Sequence, residues 1–347
     1  MTRQLSRWFG LVVVVGVVAA GCGGSQPATT EQAPAAPKVA TSAERVAWYQ
    51  NCWSLFNSKS WEAFKGCYAD EIESVQKDMT MATAKGPDAV LASSQQFATA
   101  VPDLKGALQL VLTSGDTIAS LALMTGTNSG PLKGADGKET PATNKPIGYL
   151  MAHIVQGNAA GDKAIKEASY QDNGTFMNQL GLSPAPGRPL TTTGVASPVI
   201  VAATGSETER ANAAAYRAQL EMFNKHDIPG IESFNAPDVV FHDQTQPKDL
   251  DSKGNSALIQ GLFTAFPDAM LTLTSVWGAG DYTVAEGTFA GTNTAAYRPM
   301  GISKATGKAA TVPFIEIVKW EGGKLKENWF IIDAMIFPAQ LGLLPAN

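Results

Sequence analysis

Phe266-Pro267-Asp268, Gly291-Thr292-Asn293 and Gln340-Leu341-Gly342-Leu343 all have earlier counterparts in the same chain. Ala100-Val101-Pro102-Asp103 precedes Ala265-Phe266-Pro267-Asp268, Gly126-Thr127-Asn128 precedes Gly291-Thr292-Asn293, and Gln179-Leu180-Gly181-Leu182 precedes the last, in the same order. The first two pairs are 165 residues apart (Pro102 to Pro267, Thr127 to Thr292) and the third 161 (Gln179 to Gln340). One unit therefore occurs twice with small insertions and deletions. Each copy has ordinary domain length, so the repeat means two homologous domains and not a solenoid.

Each unit opens with a side-chain acceptor and a glutamate three residues later, Thr41 with Glu44 and Ser206 with Glu209. That is the capping-box pattern ahead of an amphipathic helix. Tyr49, Trp53 and Phe56 share one face of the first helix, and Tyr216, Leu220 and Phe223 share the equivalent face 167 residues on. A short second helix is expected over 60–68 and 229–234. A third carries Val90, Phe97 and Val101 in one unit and Leu258, Leu262 and Phe266 in the other. The period then changes to two. In the second unit 269–277, 282–291, 312–320 and 324–332 read as strands, with hairpin turns at Gly278-Ala279-Gly280-Asp281 and Glu321-Gly322-Gly323. Helices followed by an antiparallel meander make each unit α+β, with helices covering one face of a bent sheet. The expected domains are 42–182 and 207–347, joined by a Pro/Thr/Gly/Ala linker, 183–206, in which Val199-Ile200-Val201 is an apolar run available for docking.

Arg3 and Arg7 precede a charge-free run, Phe9 to Gly21, that is short of the roughly 20 residues of a membrane-spanning helix. It suits a secretory signal, and Ala19-Ala20-Gly21-Cys22 has the form of a bacterial lipobox, so residues 1–22 are expected to be a lipoprotein signal peptide with Cys22 as the lipidated residue. Residues 23–41 are rich in Pro, Ala, Thr, Gln and Gly and read as a disordered tether. The chain is thus expected at the cell envelope, held to a membrane by its N-terminal lipid. The net charge of −5 and the lack of any Lys/Arg cluster give no electrostatic footprint for nucleic acid. Three histidines and three cysteines are too few for a dedicated zinc or iron site, and no metal or cofactor is expected. Cys52 and Cys67 occur in the first unit only, where the second has Gln219 and Phe234. Outside the cytoplasm that paired presence favours a disulfide over two free thiols.

Phe266-Pro267-Asp268, Gly291-Thr292-Asn293-Thr294, Gly323 to Trp329, Asp333 and the closing Gln340-Leu341-Gly342 together resemble the SnoaL-like polyketide cyclases, a family of the NTF2-like superfamily. The resemblance covers nearly all of the second unit and, more faintly, the first. It implies a cone, a curved antiparallel sheet wrapped on helices around one apolar pocket, and pairing of sheet faces. Two copies in one chain would then form an intrachain pseudo-dimer, because an uncovered sheet face on each would leave large apolar patches.

The resemblance assigns Asp333 the place of the family's acid/base for intramolecular aldol closure. Strand alternation puts Leu325, Glu327, Trp329, Ile331 and Asp333 on one face, where burial among apolar groups would raise a carboxyl's pKa. Glu327 and Asp333 would lie about 20 Å apart along an extended strand, too far for a dyad. His242, with Asp243, follows Val239-Val240-Phe241, where the family carries a His-Asp pair entering the pocket, and His242 is a candidate second acid/base or hydrogen-bond donor. Trp329, Glu327, Asn328, Asp243, Asn293, Tyr297 and Glu286 are candidate ligand contacts. Asn293 and Asn328 stand where the family has histidines, and an amide cannot shuttle a proton. In the first unit, Glu167 and Asp172 are five residues apart against six for Glu327 and Asp333, an odd spacing that splits them between faces. That unit is expected to be a degenerate-pocket partner. Three readings follow: an envelope-anchored binder of a small hydrophobic or aromatic molecule in the second domain; a cofactor-independent cyclase, isomerase or lyase acting on a carbonyl substrate through Asp333; or a non-catalytic envelope scaffold.

Overall fold

Thr41 and Ser206 each accept a hydrogen bond from a backbone N–H three residues on, while Glu44 and Glu209 reach back to the cap, so both capping boxes form. A computed structural model of the chain describes residues 39–134, 137–183 and 187–344. The expected signal peptide, the lipobox Cys22 and all of the tether before Val39 lie outside them.

The first repeat runs α1 (Ser42–Asn57), α2 (Trp61–Lys65), β1 (Tyr68–Gln76), β2 (Thr83–Lys85), α3 (Pro87–Ala100), β3 (Lys105–Ser114), β4 (Thr117–Thr127), the two-residue strands β5 (Leu132–Lys133) and β6 (Glu139–Thr140), β7 (Pro146–Gly157), β8 (Ala164–Tyr170) and α4 (Asn173–Gln179). The linker contributes β9 (Val199–Ala202). The second repeat runs α5 (Glu207–Asn224), α6 (Ile228–Glu232), β10 (Asn235–Phe241), α7 (Ser252–Ala265), β11 (Met270–Ala279), β12 (Tyr282–Thr292), β13 (Ala309–Glu321), β14 (Lys324–Ile331) and α8 (Ile336–Gln340). The Glu321-Gly322-Gly323 turn uses two glycines with positive φ, 58° and 75°, the backbone that a tight hairpin demands.

The sheet orders are β2-β1-β8-β7-β4-β3-β9 and β10-β14-β13-β12-β11. Each is α+β with the meander expected from the hairpin turns, but both sheets are mixed. β1 pairs in parallel with β8 and β10 with β14, because the strand ahead of the third helix joins the sheet beside the last strand. The apolar linker run docks as β9 along the edge of β3. Cys52 and Cys67 form a disulfide that ties α1 to the turn before β1. A link of this length stabilises by ~3 kcal/mol in the chain-entropy model.

Each sheet has two working faces. One face of each packs on its own helices. The other faces meet across the two repeats: Leu112, Ala119 and Ala152 of the first sheet share one apolar cluster with Ile315, Ile317 and Ile331 of the second. All six have no exposed area. The Tyr170 hydroxyl crosses this contact to donate to Glu286 Oε1 at 2.7 Å. The two repeats therefore pack sheet to sheet within one chain.

Ile317→Ala should lower the unfolding free energy by about 2–5 kcal/mol, the usual range for a truncated core isoleucine. Val199→Ala, at a half-exposed edge position, should stay within about 0.5 kcal/mol of the parent. Urea denaturation of the two variants measures this; equal effects would contradict the packing.

Candidate functional site

The second repeat encloses a cavity of about 130 Å³. Its walls are the apolar side chains Leu258, Ile259 and Leu262 of α7, Phe223 of α5, and Phe289, Phe330 and Ile332 from the sheet and its end. Periodicity builds it. α7 turns its i, i+1, i+4 stripe inward, and alternation on β14 sends Asn328 and Phe330 inward while Trp329 and Ile331 face the first repeat. Against this apolar lining stand five polar side chains: Asp243, Asn255, Tyr297, Glu316 and Asn328.

Glu316 is the central one. It is the lone charged residue in the apolar run Val312-Pro313-Phe314-Ile315-Glu316-Ile317-Val318, and alternation puts it on the cavity side. The Tyr216 hydroxyl donates to Oε2 and the Asn328 amide to Oε1. Burial raises the Glu316 carboxyl above the ordinary range, against the opposing effect of these two hydrogen bonds. Asp243 lies at the cavity wall and accepts from the Thr245 backbone N–H at 2.8 Å and hydroxyl at 2.7 Å. Burial pushes Asp243 up to about 6. The Tyr297 hydroxyl donates to the Leu258 carbonyl at 2.9 Å, closing the cavity against α7.

Of the residues singled out in the sequence, Asp243, Asn328 and Tyr297 line this cavity. The others do not. Asn293 is a loop brace: its side chain accepts from the Thr306 N–H and hydroxyl at 2.9 and 3.1 Å and donates to the Ala295 carbonyl. Asn128 braces Thr143 in the same way in the first repeat. Glu286 faces the first repeat, where it receives Tyr170. Trp329 lies in the apolar contact between the sheets and stacks on His242, centroids 5.1 Å apart. His242 points away from the cavity, with Nδ1 3.0 Å from Asp249 and Nε2 3.4 Å from Glu327.

The single face expected for Leu325, Glu327, Trp329, Ile331 and Asp333 does not exist. Lys319 opposes Glu327 but Trp320 opposes Leu325, so Lys326 is a bulge residue. Leu325 turns toward the helices with Trp320, and the remaining members turn toward the first repeat. Asp333 goes with them. It is fully buried, not in the cavity but at the junction of the repeats. It accepts from the backbone N–H groups of Met79, Asn173 and Met335 at 2.9, 3.2 and 3.0 Å and from the Asn173 amide at 3.0 Å. Its counterpart Asp172 caps α4 and accepts from the Ala334 N–H at 3.1 Å. The contact is reciprocal. The residue after each aspartate donates its N–H to the aspartate of the other repeat, as a pseudo-two-fold arrangement requires.

The sequence places Tyr216 only on the packed face of the first helix of its unit and does not single out Glu316. Their signal was present: a solitary carboxylate in an apolar strand, opposite a tyrosine on the core face of the first helix.

Two copies of a helix-covered, curved-sheet cone packed back to back define an NTF2-like tandem protein. The SnoaL-like polyketide cyclase family matches residues 43–180 and again 213–341, and the chain belongs to that family. No curated protein matches it. Similar solved structures include AclR from Streptomyces galilaeus (23% identity, 40% of this chain and 99% of that one, TM-score 0.36). IdmH from Streptomyces antibioticus matches at 24% identity over 38% of this chain and 98% of its own, TM-score 0.34. A SnoaL-like protein from Jannaschia sp. CCS1 matches at 14% identity over 40% and 97%, TM-score 0.37.

Burial, with Asp172 nearby, pushes Asp333 up to about 7 from its ordinary 3.8. The folded state thus holds this proton more tightly than the unfolded state. The stability it contributes is complete below the unfolded pKa and lost as pH rises through about 7. Urea midpoints from about pH 4 to about pH 8 should fall in the parent relative to Asp333→Asn; parallel curves would contradict the assignment.

Proposed function

We propose that this is an exported, lipid-anchored envelope protein whose second repeat binds a small hydrophobic or aromatic molecule. The observation that carries the reading is the Glu316 carboxyl, held by Tyr216 and Asn328 in the wall of a mostly apolar cavity. A buried polar group in a greasy lining fixes a ligand's orientation and selects one that completes its hydrogen bonds. At about 130 Å³ the space suits a single ring. An engineered apolar cavity of roughly 150 Å³ accepts benzene, whereas drug-sized ligands occupy roughly 300–1,000 Å³. Export and lipidation at Cys22 are supported by the charge-free run ahead of it and by the Cys52–Cys67 disulfide, a bond of oxidising compartments.

A second reading, proton-transfer chemistry on a carbonyl compound, is favoured by one observation: burial leaves Glu316 with a raised pKa beside a tyrosine hydroxyl, the condition for general acid/base work. Asp333, bound into the junction by four donors, is not the residue this reading needs.

Calorimetric titration with phenol and toluene tests the site. Phenol, which presents a hydroxyl to Glu316, should bind about tenfold more tightly than toluene, and Glu316→Gln should remove most of that preference. Leu262→Trp should abolish both by filling the space. Unchanged binding in Leu262→Trp would overturn the cavity as the site. If a substrate is found, loss of turnover with retained affinity in Glu316→Gln selects the second reading.

A further inference from the structure

The inner face of the first repeat is built from different residues than the cavity it corresponds to. Glu316 opposes Ala285 on β12, and the residue in the same place on β7 is His153, opposite Ser120 on β4. Asn328 opposes Phe241, and the residue in the same place on β8 is Glu167, opposite Ser74. Tyr216 has its counterpart in Tyr49. The Tyr216–Glu316–Asn328 trio of the second repeat is thus a Tyr49–His153–Glu167 trio in the first. The Tyr49 hydroxyl lies 2.9 Å from His153 Nδ1 and 2.7 Å from the Ser120 hydroxyl, and His153 Nε2 lies 3.2 Å from Glu167 Oε2. Both ring nitrogens are engaged, while Glu167 Oε1 takes no hydrogen bond among the described residues.

The surrounding positions change in the same direction. Where the second repeat lines its cavity with Phe241, Leu258, Phe330 and Ile332, the first has Ser74, Ser93, Ser169 and Gln171. These four and His153 are only half-buried although they lie on the inner, helix-covered face. Gln76 reaches across from β1 to the Ser93 hydroxyl at 3.2 Å, which places that side chain between sheet and α3. Trp53 fills the apolar end, its ring lying where a side chain on Gly106 would stand, and meets His153 edge-on.

We infer that the first repeat carries its own site, polar where the other is apolar, for a small, uncharged, hydroxyl-rich molecule. Serine hydroxyls and a glutamine amide both donate and accept, and so match ligand hydroxyls, which do the same. An ammonium group only donates and would leave the serine hydroxyl hydrogens without an acceptor. An anion would be repelled by the Glu167 carboxylate, which lies 3.2 Å from the His153 ring. An aromatic hydrocarbon would desolvate the Ser74 and Ser169 hydroxyls without offering them a partner, Ser93 being already joined to Gln76 and Gln171 to Tyr149 and Asn173.

The chain has three histidines, so their imidazole signals are separable by 1H–15N spectroscopy of the intact protein. Titration with myo-inositol should shift the His153 signals saturably and leave those of His226 in place. Glu167→Gln should weaken the effect about tenfold or more, and Glu316→Gln should not change it. Ser169→Phe, which introduces the second repeat's residue at a half-buried position, should abolish it and provides the test if Glu167→Gln does not fold. No His153 response to myo-inositol, a response unaltered by Ser169→Phe, or a response to methylammonium in its place would each overturn the proposal.

Discussion

Apolar burial between the two sheets sets the terms for every site in this molecule. Side chains alternate across a strand, so the face given to the partner sheet is lost to the cone. Fully burying one isoleucine or leucine is worth about 1.5–3 kcal/mol, against about 0.5–1.5 kcal/mol net for one hydrogen bond. With Leu112, Ile315, Ile317 and Ile331 on the shared face, packing decides the orientation and the polar side chains follow it. Glu316 and Asn328 are directed at the cavity because Ile315, Ile317 and Trp329 are directed away from it. Glu286, on the shared face, is committed to Tyr170 of the other repeat.

Duplication within one chain lets the two inner faces diverge while the shared face stays apolar on both sides. Leu220 and Leu271 of the second repeat correspond to Trp53 and Gly106 of the first, a small-for-large exchange that keeps the volume and moves it across the cone. The tyrosine–glutamate–asparagine trio of one repeat becomes a tyrosine–histidine–glutamate trio in the other. The junction, in contrast, keeps its symmetry: Asp172 and Asp333 each accept the N–H that follows the other. A paired carboxylate site at the pseudo-two-fold axis holds the repeats in register, which is a different task from the one the family motif implies for Asp333.

The architecture was legible because its signals are local. Capping boxes at Thr41 and Ser206, the paired glycines after Glu321 and the recurrent Gly-Thr-Asn each specify backbone within a few residues, and the four strands of the second meander fall within three residues of their expected ends. The cavity was less legible because it depends on which face points where. One bulge residue, Lys326, reverses the face of β14, and no local pattern marks it. A run of Leu, Trp and Ile looks the same whether it lines a pocket or a sheet-to-sheet contact. Asp243, Asn328 and Tyr297 were found through the family motif and its neighbours, whereas Glu316 required knowing that β13 turns its even-numbered residues inward.

The decisive quantity is the coupling between Tyr170 and Glu286, which touch only if the two sheets pack face to face. A double-mutant cycle with Tyr170→Phe and Glu286→Gln, read by urea denaturation, should give an interaction energy of about 0.5–3 kcal/mol. Strict additivity of the two substitutions would mean that the faces do not meet, and the assignment of Glu316 to a cavity and Asp333 to a junction would go with it.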